Sequence, residues 1–177
     1  MTTYPTGRAK VRDIVAGLLV AGVPAVSGRV YRARTWPLFA SDQPSLLVYG
    51  YKERKALFGN VGGVDPEYTV TCSIDVQIRA AAEGDATEAL EATVEDLAGA
   101  IEQAVLTAPE LTGWQGAIER INSVETEFQI QADGEKALAG GVVSFEAQWT
   151  ETFSIAPPDT SPCDTFTTAM QFDPPVP

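Results

Sequence analysis

Residues 67–80, "EYTVTCSIDVQIRA", alternate without a break. Tyr68, Val70, Cys72, Ile74, Val76 and Ile78 fall on one side of an extended chain, and Thr69, Thr71, Ser73, Asp75, Gln77 and Arg79 on the other. A helix would scatter those six apolar positions around its axis, so the pattern predicts a long strand with one dry and one wet face. Such a strand needs strands beside it and a layer over its dry side. Residues 143–155 repeat the pattern through Val143, Phe145, Ala147, Trp149, Phe153 and Ile155, with Glu151 the one interruption. Residues 121–131 do so through Val124, Thr126, Phe128 and Ile130. The segment "ADGEKALAGG" between these two strands contains Asp-Gly, which predicts an antiparallel hairpin. "SLLVYGY" (45–51) reads as a further strand and "AVSGRVYRAR" (25–34) as an extended segment.

The covering layer is legible as helices. Val11, Ile14, Val15, Leu18 and Leu19 make one apolar stripe over residues 8–21, ended by Gly22 and Pro24. A second helix follows "AAEGD", with Asp85 as N-cap and Glu88 three residues on, and holds Leu90, Val94, Leu97, Ile101 and Val105 on one face. The order α–β–β–β–α–β–β predicts an α+β fold, a mainly antiparallel sheet with two helices packed on one face. This domain spans residues 1–155. Residues 156–177 hold six of the twelve prolines and read as an extended C-terminal arm.

Composition narrows the chemistry. Histidine is absent, which removes the commonest general base at neutral pH and a common metal ligand. Cys72 and Cys163 lie far apart, with no CxxC pair to mark a zinc site. Cys72 falls on the dry side of its strand and reads as a small core residue. "FGNVGGVDP" (58–66) lacks the Lys-Ser/Thr of a phosphate loop, no Gly-x-Ser-x-Gly elbow occurs, and Glu91 with Glu95 is too sparse a pair for a hard cation. No catalytic, cofactor or metal residue is assigned, and the expectation is a protein that is not an enzyme. No apolar run reaches the roughly 20 residues of a membrane span, and the first residues do not read as an export signal, which predicts a protein of the producing cell's cytoplasm with no membrane partner.

Charge and exposure single out three surfaces. The net charge is −12, yet residues 1–55 hold nine Lys or Arg against three Asp or Glu, and residues 56–177 hold three against 21. So acidic a total disfavours wrapping nucleic acid, where binding depends on neutralised phosphates. On the second helix, Glu88, Glu91, Glu95 and Glu102 form a carboxylate stripe, read either as solvated surface or as an acidic lumen or partner face. Residues 52–67, "KERKALFGNVGGVDPE", are expected to form a long loop whose Lys52, Arg54, Lys55, Leu57 and Phe58 contact a partner. In the arm, Phe166, Met170 and Phe172 are candidate contacts to a neighbouring subunit.

Taken in order, the amphipathic first helix, "PSLLVYGYKER", "YTVTCSIDVQIRA", "ALEATVEDLAGAIEQAVL" and "VETEFQI" followed by "DGEKALAGGVVSFEAQWTETF" resemble the tail terminator (minor tail) proteins of long-tailed bacteriophages and gene-transfer particles. The resemblance covers residues 8–155 and rests on shape and order, with no invariant chemical residue. It implies a structural virion protein at the tail-neck junction, assembled in the host cytoplasm. Such a protein forms a homo-hexameric ring, caps the major tail tube protein, meets the head-tail connector or stopper proteins, and lets DNA pass as cargo. A connector or stopper protein of the neck is the nearest alternative, and a small ligand-binding α+β domain the more distant one.

Overall fold

Strict alternation becomes strand wherever the sequence carries it. The structure, a computed structural model, describes residues 7–32, 43–61, 65–83, 87–113, 116–133 and 136–153. Five strands, β1 (Val30–Arg32), β2 (Ser45–Val61), β3 (Asp65–Glu83), β4 (Arg120–Asp133) and β5 (Lys136–Thr152), form one sheet in the order β1-β2-β3-β5-β4. Only the short β1 runs parallel to its neighbour, pairing Val30–Arg32 with Leu46–Val48; all other pairs are antiparallel. The expected α+β fold with a mainly antiparallel sheet is therefore what the chain adopts.

Among the described residues there are three α-helices: α1 (Gly7–Gly22), α2 (Thr87–Leu106) and the single turn α3 (Pro109–Thr112). The dry face of the sheet carries Leu46, Val48, Val70, Cys72, Ile74, Val76, Ile78, Val143, Phe145 and Ala147, all buried in one core with Val11, Val15 and Leu19 of α1. From α2 the predicted face, Leu90, Val94, Leu97, Ile101 and Val105, enters the same core. Both helices lie on this face, while Thr69, Thr71, Ser73, Asp75 and Gln77 stay partly exposed on the other. The helices meet closely where Gly22 lies against Ala104: a Cβ at Gly22 would sit 2.7 Å from the Ala104 Cβ, so a side chain there would wedge them apart. Val26, in a 3₁₀ turn over Pro24–Val26, and Leu111 of α3 close the ends of the core, and neither short element carries a periodicity that sequence reading detects.

Two expectations about loops are corrected. Residues 52–67 are not a long loop. β2 runs on to Val61 and β3 begins at Asp65, so this segment is the outer half of an antiparallel hairpin whose connection, residues 62–64, lies outside the described residues. The Lys-Glu-Arg-Lys run hid the strand because both of its faces are hydrophilic here, and two bulges, at Gly50/Lys52 and Leu57/Gly59, break the alternation. Likewise β5 starts at Lys136 rather than at Val143. Its first half is "KALAGGV", small residues without alternation, because α2 crosses there: a Cβ at Gly141 would lie 3.2 Å from Val94 Cγ1 and 3.1 Å from the Phe128 ring. The expected N-cap at Asp85 and the arm residues Phe166, Met170 and Phe172 lie outside the described residues.

Phe145 is the largest fully buried side chain and sits between α2 and the middle of the sheet's dry face. Phe145→Ala is expected to destabilise the fold by about 3–5 kcal/mol, the usual cost of an emptied aromatic site. Urea unfolding of the two proteins checks this, and a loss under about 1 kcal/mol would show the core to be misassigned.

Candidate interaction surfaces

The five residues expected to act together on the 52–67 segment are divided by the pleat. Register places Lys52 opposite Ser73 and Arg54 opposite Thr71, on the open, helix-free face. Lys55 stands opposite Val70 and Leu57 opposite Tyr68, on the face that the helices cover further along the sheet. Phe58 falls in the second bulge. Leu57 and Phe58 are 60% and 73% exposed, the most exposed large aliphatic and aromatic side chains among the described residues.

On the helix side, the outer hairpin is tied to the domain by one carboxylate. Glu151 of β5 accepts a hydrogen bond from Trp149 Nε1 at 2.9 Å, pairs with Lys55 of β2, and receives the backbone N–H of Gly7 at the start of α1. The first N–H groups of a helix have no partner within it, and a carboxylate placed there also meets the positive end of the helix dipole. Glu53 supplies a second carboxylate 3.5 Å from Lys55 Nζ. Burial alone would raise the Glu151 carboxyl, but the hydrogen bonds from Lys55 and Trp149 outweigh it and hold the group below its ordinary value. For Lys55, burial pulls down and the Glu151 contact prevails, holding the ammonium above its ordinary value.

Beyond this fastener the same face turns aromatic. Tyr68 and Phe153 meet edge to face with centroids 5.6 Å apart, and Lys55 Nζ lies 4.8 Å over the Phe153 ring. Phe153 N–H donates to the Pro66 carbonyl at 3.0 Å, which extends the β3–β5 pairing by one rung. With Leu57 opposite Tyr68, these side chains make an apolar patch rimmed by a cation, past the cover of the described helices. Sequence alternation marked Tyr68 and Phe153 only as core-facing, because the end of the helical layer is a tertiary fact that no local pattern carries.

The acidic stripe divides too. Glu88, Glu91 and Glu95 are exposed on a flank of α2 beside its buried face. Glu102 turns inward and accepts a hydrogen bond from Thr126 Oγ1 of β4 at 2.8 Å, so it fastens helix to strand. Cys72 is buried, donates weakly to the Ser73 carbonyl, and has its thiol pushed up to about 11 by burial and by the Glu53 carboxylate. It is an inert core residue. Among the described residues no group of three His, Cys, Asp or Glu could hold a metal ion, and no helix is long and apolar enough to cross a membrane. The sequence matches no family model and no curated protein.

The Glu151 fastener has a definite pH signature. A carboxyl depressed in the folded state contributes its full stability above the ordinary carboxylate range and loses it as the pH falls through the depressed value. An ammonium raised in the folded state contributes fully below the ordinary lysine value and loses that contribution as the pH rises through the raised one. The stability difference between the wild type and Glu151→Gln is therefore expected to be flat between about pH 5 and 9 and to shrink on either side. Urea midpoints measured across pH check it, and a difference that persists undiminished at pH 2 would contradict the role given to Glu151.

Proposed function

We propose that the chain is a structural assembly protein that caps the head-proximal end of a bacteriophage tail tube as a ring, stops tube growth and offers the surface for head-tail joining. The observation that carries this reading is the outer β2–β3 hairpin, where the described helices no longer cover the sheet and Leu57 and Phe58 stand exposed a few residues before the connection. Exposed apolar side chains at the end of a rigid, twisted ladder are suited to docking on another protein and have no evident use in catalysis. Stopping a polymer requires one face that fits its end and another that refuses the next subunit, which is interface work. The order of elements over residues 8–155 is that of the tail terminator resemblance, and the sheet with its one-sided helices is compatible with it.

In this reading the partners are further copies of the chain, the tail tube protein and the connector or stopper proteins, with DNA as passing cargo. The hairpin tip meets the tube. Glu88, Glu91 and Glu95 are exposed, and carboxylates there repel phosphate, whether they border the passage or meet a neck protein. The site of action is the tail-neck junction of the virion.

Leu57→Ser with Phe58→Ser removes the apolar tip without touching a buried residue, so the unfolding midpoint is expected to stay within about 0.5 kcal/mol of wild type. Added to polymerising tail tube protein, the wild type is expected to shorten tubes in electron micrographs and the double variant to leave their lengths unchanged. Wild-type protein that leaves tube lengths unchanged and binds the portal complex instead would replace this reading with that of a neck connector.

A further inference from the structure

The sheet has two edges that differ in charge. Beyond Tyr49, past the pairing with β1, no strand among the described residues lies outside β2, so residues 50–61 form an edge. At the opposite side, no strand among the described residues lies outside β4. Long bare edges are an aggregation hazard and are normally covered, broken or paired. On the open face the β2 edge carries Lys52 and Arg54, and the β4 edge carries Glu125 and Glu127, all exposed.

We infer that the β2 edge of one copy pairs with the β4 edge of the next, so that the sheets run on from copy to copy. This rests on the ring reading above and names the surface that builds it. Direction permits it. β2, β3, β5 and β4 alternate up, down, up and down, so a neighbour in the same orientation presents an up strand to a down strand, and the new pair is antiparallel like the others. The two edges are different surfaces, which makes the contact head-to-tail, and repeated contacts of that kind close into a ring when the rotation allows.

Register follows from charge and from steric blocking. Tyr49, Asp75, Ser144 and Glu125 share one row across the sheet, and Arg54, Thr71, Gln148 and Arg120 share another. Without stagger, Arg54 would meet Arg120 of the neighbour, and β1 would block the middle of β4. Sliding the neighbour by about four residues sets Arg54 opposite Glu125 and Lys52 opposite Glu127, with most of β4 past β1. Four long strands per copy with a stagger of about four residues give a shear equal to the strand number, the relation found in barrels whose strands tilt by about 36°. The register that satisfies the charges is thus one on which a barrel can close, whatever the number of copies.

Disulfide trapping tests the pairing. With Cys163 replaced by Ser throughout, Arg54→Cys combined with Glu125→Cys is oxidised mildly, with and without tail tube protein. Non-reducing gels are expected to show a ladder of covalent multimers, and a control with Glu91→Cys in place of Glu125→Cys at least tenfold less. Lys52→Glu with Arg54→Glu is expected to abolish multimers detected by chemical cross-linking, and adding Glu125→Lys with Glu127→Lys to restore them. No ladder above the control in either condition, a product that stops at dimers, or failure of the charge swap to restore multimers would overturn the inference. The two readings fail separately. A ladder from protein that does not shorten tubes leaves the edge pairing standing without the cap, and a charge-reversed variant that still shortens tubes leaves the cap without this edge pairing.

Discussion

The uncovered outer end of the sheet follows from a mismatch of lengths among the described elements. Strands of 17 to 19 residues in β2, β3 and β5 reach about 55–65 Å at roughly 3.3 Å per residue. Helices of 16 and 20 residues reach about 24–30 Å at 1.5 Å per residue. Two helices therefore cover the middle of the sheet and cannot cover its outer end. Burial tracks this: the dry side of β3 is sealed from Val70 to Ala80, while Tyr68 is only partly covered. The sequence accommodates the change by replacing apolar residues on β2 with Glu53 and Lys55 where the cover ends. A carboxylate on β5, Glu151, then joins the hairpin to the start of α1.

That geometry gives the fold two kinds of unfinished surface. Among the described residues, the outer hairpin has apolar side chains without a helix over them, and the sheet has two edges without a strand beside them. Among small soluble domains such features are usually blunted by charge, bulges or covering segments, since they invite association. Here the edges are long, and the charges on them are opposite in sign. A protein whose task is to meet copies of itself and one end of a polymer has use for both. The functional proposal grows from that pair of surfaces, with no contribution from reactive groups.

The sequence made some of this legible and hid the rest for physical reasons. Where one face is buried and the other wet, as in β3 and the second half of β5, the period of two appears in the letters, and the central strands, both main helices and the sheet's covered face can be read directly. Where both faces are polar, as along residues 52–56, a strand looks like a charged loop. Where a helix presses close, as at Gly141, a strand looks like a turn. The site residues suffered from the same cause: Lys52, Arg54, Lys55, Leu57 and Phe58 were grouped by sequence adjacency, and only the pleat separates Lys52 and Arg54 from Lys55 and Leu57. Glu102 looked like one more carboxylate of the stripe, because its hydrogen bond to Thr126 joins elements distant in the chain.

The most direct test of the central claim is the native mass of the purified protein over a dilution series, with and without tail tube protein, and with particle shape read by negative-stain microscopy. Closed rings of a single copy number, formed alone or as caps on tubes, are the predicted result. Protein that remains monomeric at every concentration and ignores the tubes would contradict it.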